Sequence, residues 1–194
     1  NNHSTTFSGI LHNNGWGTGP IGLTKVGSGI LTLTGANDYS GPTTVSNREL
    51  VVSTTFAGNG DVLVSGGAIF GVTNLSGASA QVSNLTADTG AGLEFQNVAS
   101  TTAPLITANN VTLSGGCVVK IAGTNGLVAG NTYPLIGYAG TFSGSVGSLQ
   151  LQMPYGWRGT LVNSGNQILL SNLAVVSTTS PRMRAMLNGR QLQL

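Results

Sequence analysis

Charge is scarce in this chain. Lysine, arginine, aspartate and glutamate together make up 6% of its 194 residues, against roughly a quarter in an ordinary globular domain. Without long charged side chains the surface has to be made from hydroxyls and amides, which excludes a coat of amphipathic helices. The acids are only Asp38, Glu49, Asp61, Asp88 and Glu94, so any carboxylate set for glycoside hydrolysis or calcium binding would have to come from these few. The only histidines are His3 and His12, in a polar lead-in. Cys117 stands alone, so no internal disulfide can form, and no His/Cys zinc cluster can be assembled at ligand spacing. Phosphate-binding loops, a nucleophile elbow and Gly-Gly-x-Gly-x-Asp calcium arrays are absent from the sequence. No apolar run approaches the roughly 18 residues of a membrane helix. Three of the seven basic residues, Arg182, Arg184 and Arg190, lie near the C-terminus. No basic stripe with interleaved aromatics accompanies them, which argues against nucleic acid. The chain starts Asn1-Asn2-His3, with neither Met nor a signal peptide, as expected of a processed or excerpted chain if it is exported.

What is present points to β-structure. Ninety residues are Gly, Ser, Thr or Asn, and 40% are hydrophobic, too many for the low-hydrophobicity, high-charge signature of disorder. Stacked strands can carry such a surface, with Thr, Ser and Asn ladders outside. The most regular stretch is Gly22–Ser53. Leu31 and Leu33 alternate with Thr32 and Thr34, which puts the leucines on one strand face and the hydroxyls on the other. Gly35-Ala36-Asn37-Asp38 breaks that strand. Thr43-Thr44-Val45 starts another, Ser46-Asn47 interrupts, and Leu50-Val51-Val52 forms a third. Looser versions follow at 62–72, 81–95 and 105–121. Their starts near Val62, Val82 and Ile106 are spaced as coils of a parallel β-helix are. One coil cannot bury its apolar face alone, so stacking is obligatory. The 22–53 stretch resembles the autotransporter-associated β-strand repeat of bacterial surface and secreted proteins. Lys25, Gly27, Gly29, Ile30, Leu31, Leu33, Thr34, Gly35, Asn37, Tyr39, Gly41, Thr43, Thr44, Val45, Leu50 and Val52 fill its pattern, and Thr6–Ile10 looks like its lead-in. Pro42 and Asn47-Arg48-Glu49 depart from it, both in turns. A weaker resemblance, to the segment that often follows such repeats, covers Asn131–Asn172.

The fold class expected is all-β. The resemblance implies a right-handed parallel β-helix (β-solenoid), and the sequence adds an irregular or antiparallel, aromatic-rich C-terminal cap. Four sections are expected: 1–21, a lead-in and possible exchanged strand; 22–130, the coils; 131–173, further coils or the cap; 174–194, a tail and possible inter-subunit strand. The cap gathers Tyr133, Tyr138, Phe142, Tyr155 and Trp157, and Gly159–Leu170 reads as a β-hairpin around Asn163–Asn166. Cys117, in a strand-like run, reads as a buried small apolar residue.

Function follows from shape rather than from chemistry. No catalytic residue, cofactor or metal site is expected, and the chain does not read as an enzyme. A short solenoid has unpaired strand edges and apolar core at its ends, which must be capped or joined. Low charge removes repulsion between such ends, so end-to-end homopolymers are expected. The assembly segments carry Phe7, Ile10 and Leu11 at one end and Met183, Met186, Leu187, Leu192 and Leu194 at the other. The resemblance implies export to the bacterial cell surface or beyond, with no membrane span in this chain. Two other readings remain. One is an adhesin whose Trp16, Tyr39, Tyr155 and Trp157 stack on glycans or host surfaces. The other is a polysaccharide-degrading enzyme that brings Glu49 and Asp61 together from neighbouring coils. Single solvated turn residues are the plainer account of those two acids. The Asn-x-Ser/Thr triplets at Asn74, Asn84 and Asn110 are expected by chance in such a composition.

Overall fold

The computed structural model describes residues 3–13, 19–75, 77–176, 185–187 and 190–192. Strand follows strand with almost no helix. The exception among the described residues is one 3₁₀ turn, Val146–Ser148. β1 (Thr5–Phe7) precedes a first full coil of β2 (Leu23–Lys25) and β3 (Ile30–Leu33). The second coil holds β4 (Thr43–Val45) and β5 (Glu49–Ser53). The third holds β6 (Val62–Val64), β7 (Ile69–Thr73) and β8 (Ala80–Gln81), and the fourth β9 (Asn84–Ala87), β10 (Gly92–Gln96) and β11 (Ile106–Ala108). The fifth holds β12 (Asn110–Leu113), β13 (Val118–Ala122) and β14 (Tyr133–Tyr138). β15 (Phe142–Gly144) and β16 (Gln150–Gln152) begin a sixth. A hairpin of β17 (Trp157–Ser164) and β18 (Gln167–Val175) follows, then the pair β19 (Ala185–Leu187) and β20 (Arg190–Leu192).

Three sheets run along the stack. The first is β1-β3-β5-β7-β10-β13-β16 and the second β2-β4-β6-β9-β12-β15, every neighbour parallel. In the third, β8, β11 and β14 are parallel, and β18 and β17 then add antiparallel. This arrangement is compatible with a β-solenoid. Coil length drifts along it. The register Leu23–Thr43–Val62–Leu85–Val111–Phe142 gives spacings of 20, 19, 23, 26 and 31 residues. The evenness read from Val62, Val82 and Ile106 mixes two sheets, since Val62 opens β6 in the second sheet whereas Ile106 pairs with Ala80 in the third.

The core is made of rows of inward residues, one per coil. In the first sheet Leu31, Leu50, Phe70, Leu93, Val119 and Leu151 stack in register, and beside them Phe7, Leu33, Val52, Val72, Phe95 and Ile121. Leu50, Phe70, Leu93, Val72 and Phe95 are fully buried. Such rows match side chains of like size face to face, and each large one contributes about 1.5–3 kcal/mol by leaving water. Cys117 lies among them, buried, with its Sγ 3.0 Å from the Asp88 carbonyl oxygen, and burial pushes its thiol pKa up.

Between sheets the chain turns on columns of glycine. A Cβ on Gly41 would overlap the Ile21 carbonyl, and one on Gly60 would overlap the Gly41 carbonyl in the next coil. The β17–β18 hairpin closes on Gly165 and Asn166, with φ of 58° and 59°, the two left-handed residues of a type I′ turn.

Candidate functional site

Two places carry chemistry beyond core packing: the N-terminal end of the stack and the outer face of the first sheet. At the N-terminal end, residues 3–13 form an incomplete rung on the first full coil. β1 pairs with β3, the Thr34 amide donates to the Phe7 carbonyl at 3.0 Å, and the Ile30 amide to Ser4 Oγ at 3.1 Å. Asn37 is fully buried and fastens the rung: its Oδ1 accepts from the Leu11 amide at 2.8 Å and its Nδ2 donates to the Gly35 carbonyl. The Leu11 carbonyl in turn accepts from the Asp38 and Tyr39 amides. Among the described residues, β1 and β2 each have a strand on one side only. Phe7, Ile10, Ile21 and Val26 are 39%, 57%, 43% and 66% exposed, and all belong to the rung or to the first coil. Of the expected assembly residues, Phe7, Ile10 and Leu11 therefore gather at this end, with Leu11 half-buried against the core. Met183 and Leu194 lie outside the described residues. Met186, Leu187 and Leu192 fall in the antiparallel pair β19–β20, whose side chains are not described.

Lys25 is buried for a reason the structure shows. It occupies the inward row of the second sheet, in register with Val45 and Val64, and is 6% exposed. Its Nζ donates to the carbonyls of Val26, Gly27 and Asn47 at 2.9, 2.9 and 3.2 Å. The ammonium thus ties the corner of the first coil to that of the second, and burial lowers its pKa. Replacing Lys25 with Met is expected to destabilise the fold by about 2–4 kcal/mol, because three carbonyls lose a charged donor. A urea titration measures it.

The expected surface aromatics separate. Tyr39 is not at the surface: it is fully buried, its hydroxyl 2.8 Å from Thr43 Oγ1 and its ring edge-on to Phe56 at 5.4 Å between centroids. Burial raises its pKa. Tyr39 is buried because the Asn37–Tyr39 turn bends into the core at the corner where the third sheet has not yet begun. Trp157 is half-buried and packs on the core, Tyr155 is 89% exposed, and Trp16 lies outside the described residues.

The acids also rearrange. Asp61 is exposed and begins a ladder. Its Oδ1 accepts from Asn84 Nδ2 at 2.7 Å, Asn84 Oδ1 accepts from Asn110 Nδ2 at 2.9 Å, and Asn110 Oδ1 accepts from Thr141. Asn84 and Asn110, two of the three inner Asn-x-Ser/Thr asparagines, therefore serve as rungs. Glu49 is neither solvated nor near a turn acid; it starts β5 on the outer face of the first sheet and is 6% exposed. It shares that face with Glu94, a neighbour that spacing did not reveal. Glu94, 5% exposed, meets Lys120 directly across the ladder, its Oε2 2.7 Å from Nζ though poorly aligned for a hydrogen bond. Its Oε1 accepts from Gln96 Nε2 at 2.7 Å. Side-chain-free Gly71 and Gly92 make room for this layer, and beside it opens a groove of about 190 Å³ floored by Ile69, Gly92 and Val118 and edged by Lys120 and Gln152. Glu49 has a raised pKa, first from burial and then from Glu94, against the opposing pull of Lys120 and Arg48. Protonated Glu49 thus suits the fold. Its contribution is fully present below the ordinary value of 4.5 and is lost as pH rises through the higher folded value. Glu49→Gln should therefore raise stability at pH 7 by up to about 1 kcal/mol after solvent screening, and by less at pH 4. Urea midpoints at the two pH values test it.

No group of three or more metal-ligating side chains exists among the described residues, and no helix there is long and apolar enough to cross a membrane. A family model described as the passenger-associated-transport-repeat matches residues 23–47. That interval runs from β2 past β4 and holds Lys25, Asn37, Tyr39 and Gly41, the residues that tie the first coil to its neighbours. Searches of curated proteins and of solved structures found no match.

Proposed function

We propose that the chain is part of an exported, non-catalytic structural β-solenoid, a right-handed parallel β-helix at or beyond the bacterial surface that joins end to end with further coils through its N-terminal face. The observation that carries this reading is the open end: two parallel edges, β1 and β2, that no described strand covers, with Phe7, Ile10, Ile21 and Val26 left exposed. Exposed strand edges and apolar side chains of this kind are normally covered. A parallel edge with a fixed coil rise accepts another coil better than it accepts a globular surface. The passenger-associated repeat at 23–47 supports export, and the right-handed crossover that nearly always joins parallel strands supports the hand. At the other end the β17–β18 hairpin acts as a cap. It turns the third sheet antiparallel, buries Ile168, Leu170 and Leu173, and packs Trp157 and Leu161 on the core.

A catalytic reading is less well supported, because Glu94 is committed to Lys120 and Gln96, and Glu49 and Asp61 belong to different faces. The purified chain is expected to associate as its concentration rises, into rods visible by electron microscopy. Lysine at both Ile21 and Val26, solvent-facing positions where the fold tolerates charge, is expected to weaken that association about tenfold or more. Sedimentation that is identical for the parent and the Ile21→Lys/Val26→Lys variant at every loading would sink the proposal.

A further inference from the structure

The capping hairpin has a free edge of its own. β17 closes the third sheet, with β18 on one side and no strand on the other among the described residues. At eight residues it is longer than the usual five or six. Natural sheets protect such edges with proline, inward charge or lysine, yet Gly159–Ser164 contains none of these, and Arg158 is the only ionic side chain of β17. Of the tail, the described strands β19 and β20 pair with each other in a separate two-stranded sheet and not with β17.

We infer that β17 is a homodimer edge, pairing antiparallel with β17 of a second copy about a two-fold axis at Leu161. The backbone phase selects this. In a two-residue hairpin the closing pair, here Ser164 and Gln167, is hydrogen-bonded. Alternate residues then turn their amides and carbonyls away, so Leu161 and Asn163 present theirs to the open side. A two-fold axis perpendicular to the sheet preserves that phase only where paired residue numbers share parity. The axis at Leu161 sets Leu161 opposite itself, Thr160 opposite Val162 of the second copy, and Arg158 opposite Ser164. Each guanidinium then faces a hydroxyl, and no like charges meet. Shifting the axis by one residue to Thr160 would set Arg158 against Val162 instead. The outward residues Arg158, Thr160, Val162 and Ser164 are all exposed. The third sheet would run unbroken through both copies, joining them at their capped ends and leaving both N-terminal faces free.

The interface is independent of the N-terminal association proposed above, and the test separates the two by working in the Ile21→Lys/Val26→Lys background. One strand pair buries little area, so a dissociation constant in the range of about 10–100 μM is expected. In that background, sedimentation equilibrium should report a monomer–dimer equilibrium. Adding Thr160→Lys and Val162→Lys sets lysine opposite lysine twice and should abolish the dimer. Thr160→Lys with Val162→Glu sets lysine opposite glutamate twice and should restore it, which a merely damaged hairpin would not do. A monomeric background at every loading, or equal association by the two charge variants, overturns the inference.

Discussion

Tyr39→Ala is expected to destabilise the protein by about 3–5 kcal/mol, the cost of truncating a large buried aromatic ring, and to do so without touching any exposed surface. The ring is fully buried, and it fills the corner that the later coils fill with their third strand. Removing it leaves a cavity beside Phe56, cancels the edge-on ring contact and strips Thr43 Oγ1 of its partner. Tyr39→Phe separates these parts. It keeps the ring and loses the hydroxyl, so it should cost only about 1 kcal/mol, the usual net value of one hydrogen bond. Urea denaturation of both variants, followed by circular dichroism, checks the ratio. A Tyr39→Ala variant within 1 kcal/mol of the parent would mean that the first coils are not packed as a unit with the rest. Hydrogen exchange would then show Leu23–Val45 opening on its own.

The second large effect falls on a residue with no side chain. Gly58 lies where the second coil passes over the first, and a Cβ there would overlap the Tyr39 carbonyl oxygen. The obstruction is backbone, so no side chain can swing away. Gly58→Ala is expected to cost about 3 kcal/mol or more, near the upper end for overpacking, and to loosen the bond between the Ala57 amide and the Asn37 carbonyl. Gly67 is the control. No heavy atom lies within 4 Å of its Cβ position, and its φ of 80° is the only obstacle, so Gly67→Asn should cost far less. If Gly58→Ala and Gly67→Asn melt together, close stacking at the corner is not what the glycine column serves.

The two effects have one origin. A coil of this kind contributes little by itself, and each is held by what it shares with the next: inward rows, corner contacts, and the few polar side chains that cross between coils. Lys25 and Asn37 are of that last type. They look like surface residues in the sequence, and both are buried because the carbonyls of adjacent corners converge on them.

Several features are legible in the sequence alone. The alternation at Leu31–Leu33 lies in β3, Thr43–Val45 is β4, and Leu50–Val52 sits inside β5. The turn chemistry of Asn163–Asn166 foretells the β17–β18 hairpin, and the apolar run around Cys117 foretells its burial. These are local properties. A period of two and a pair of left-handed residues need no knowledge of distant chain. What only the tertiary structure decided is where unlike coils bring residues together. Glu49 seemed free to meet Asp61, twelve positions on, yet shares its face with Glu94 across two rungs. Tyr39 seemed a surface ring because turns usually lie at the surface, and it is a core residue because this turn faces inward. Coil length drifts from 19 residues to 31, so separation along the chain does not convert to position on the stack. Spacing therefore reveals the strands, but the pairing of side chains between coils depends on a register that only the stacked structure sets.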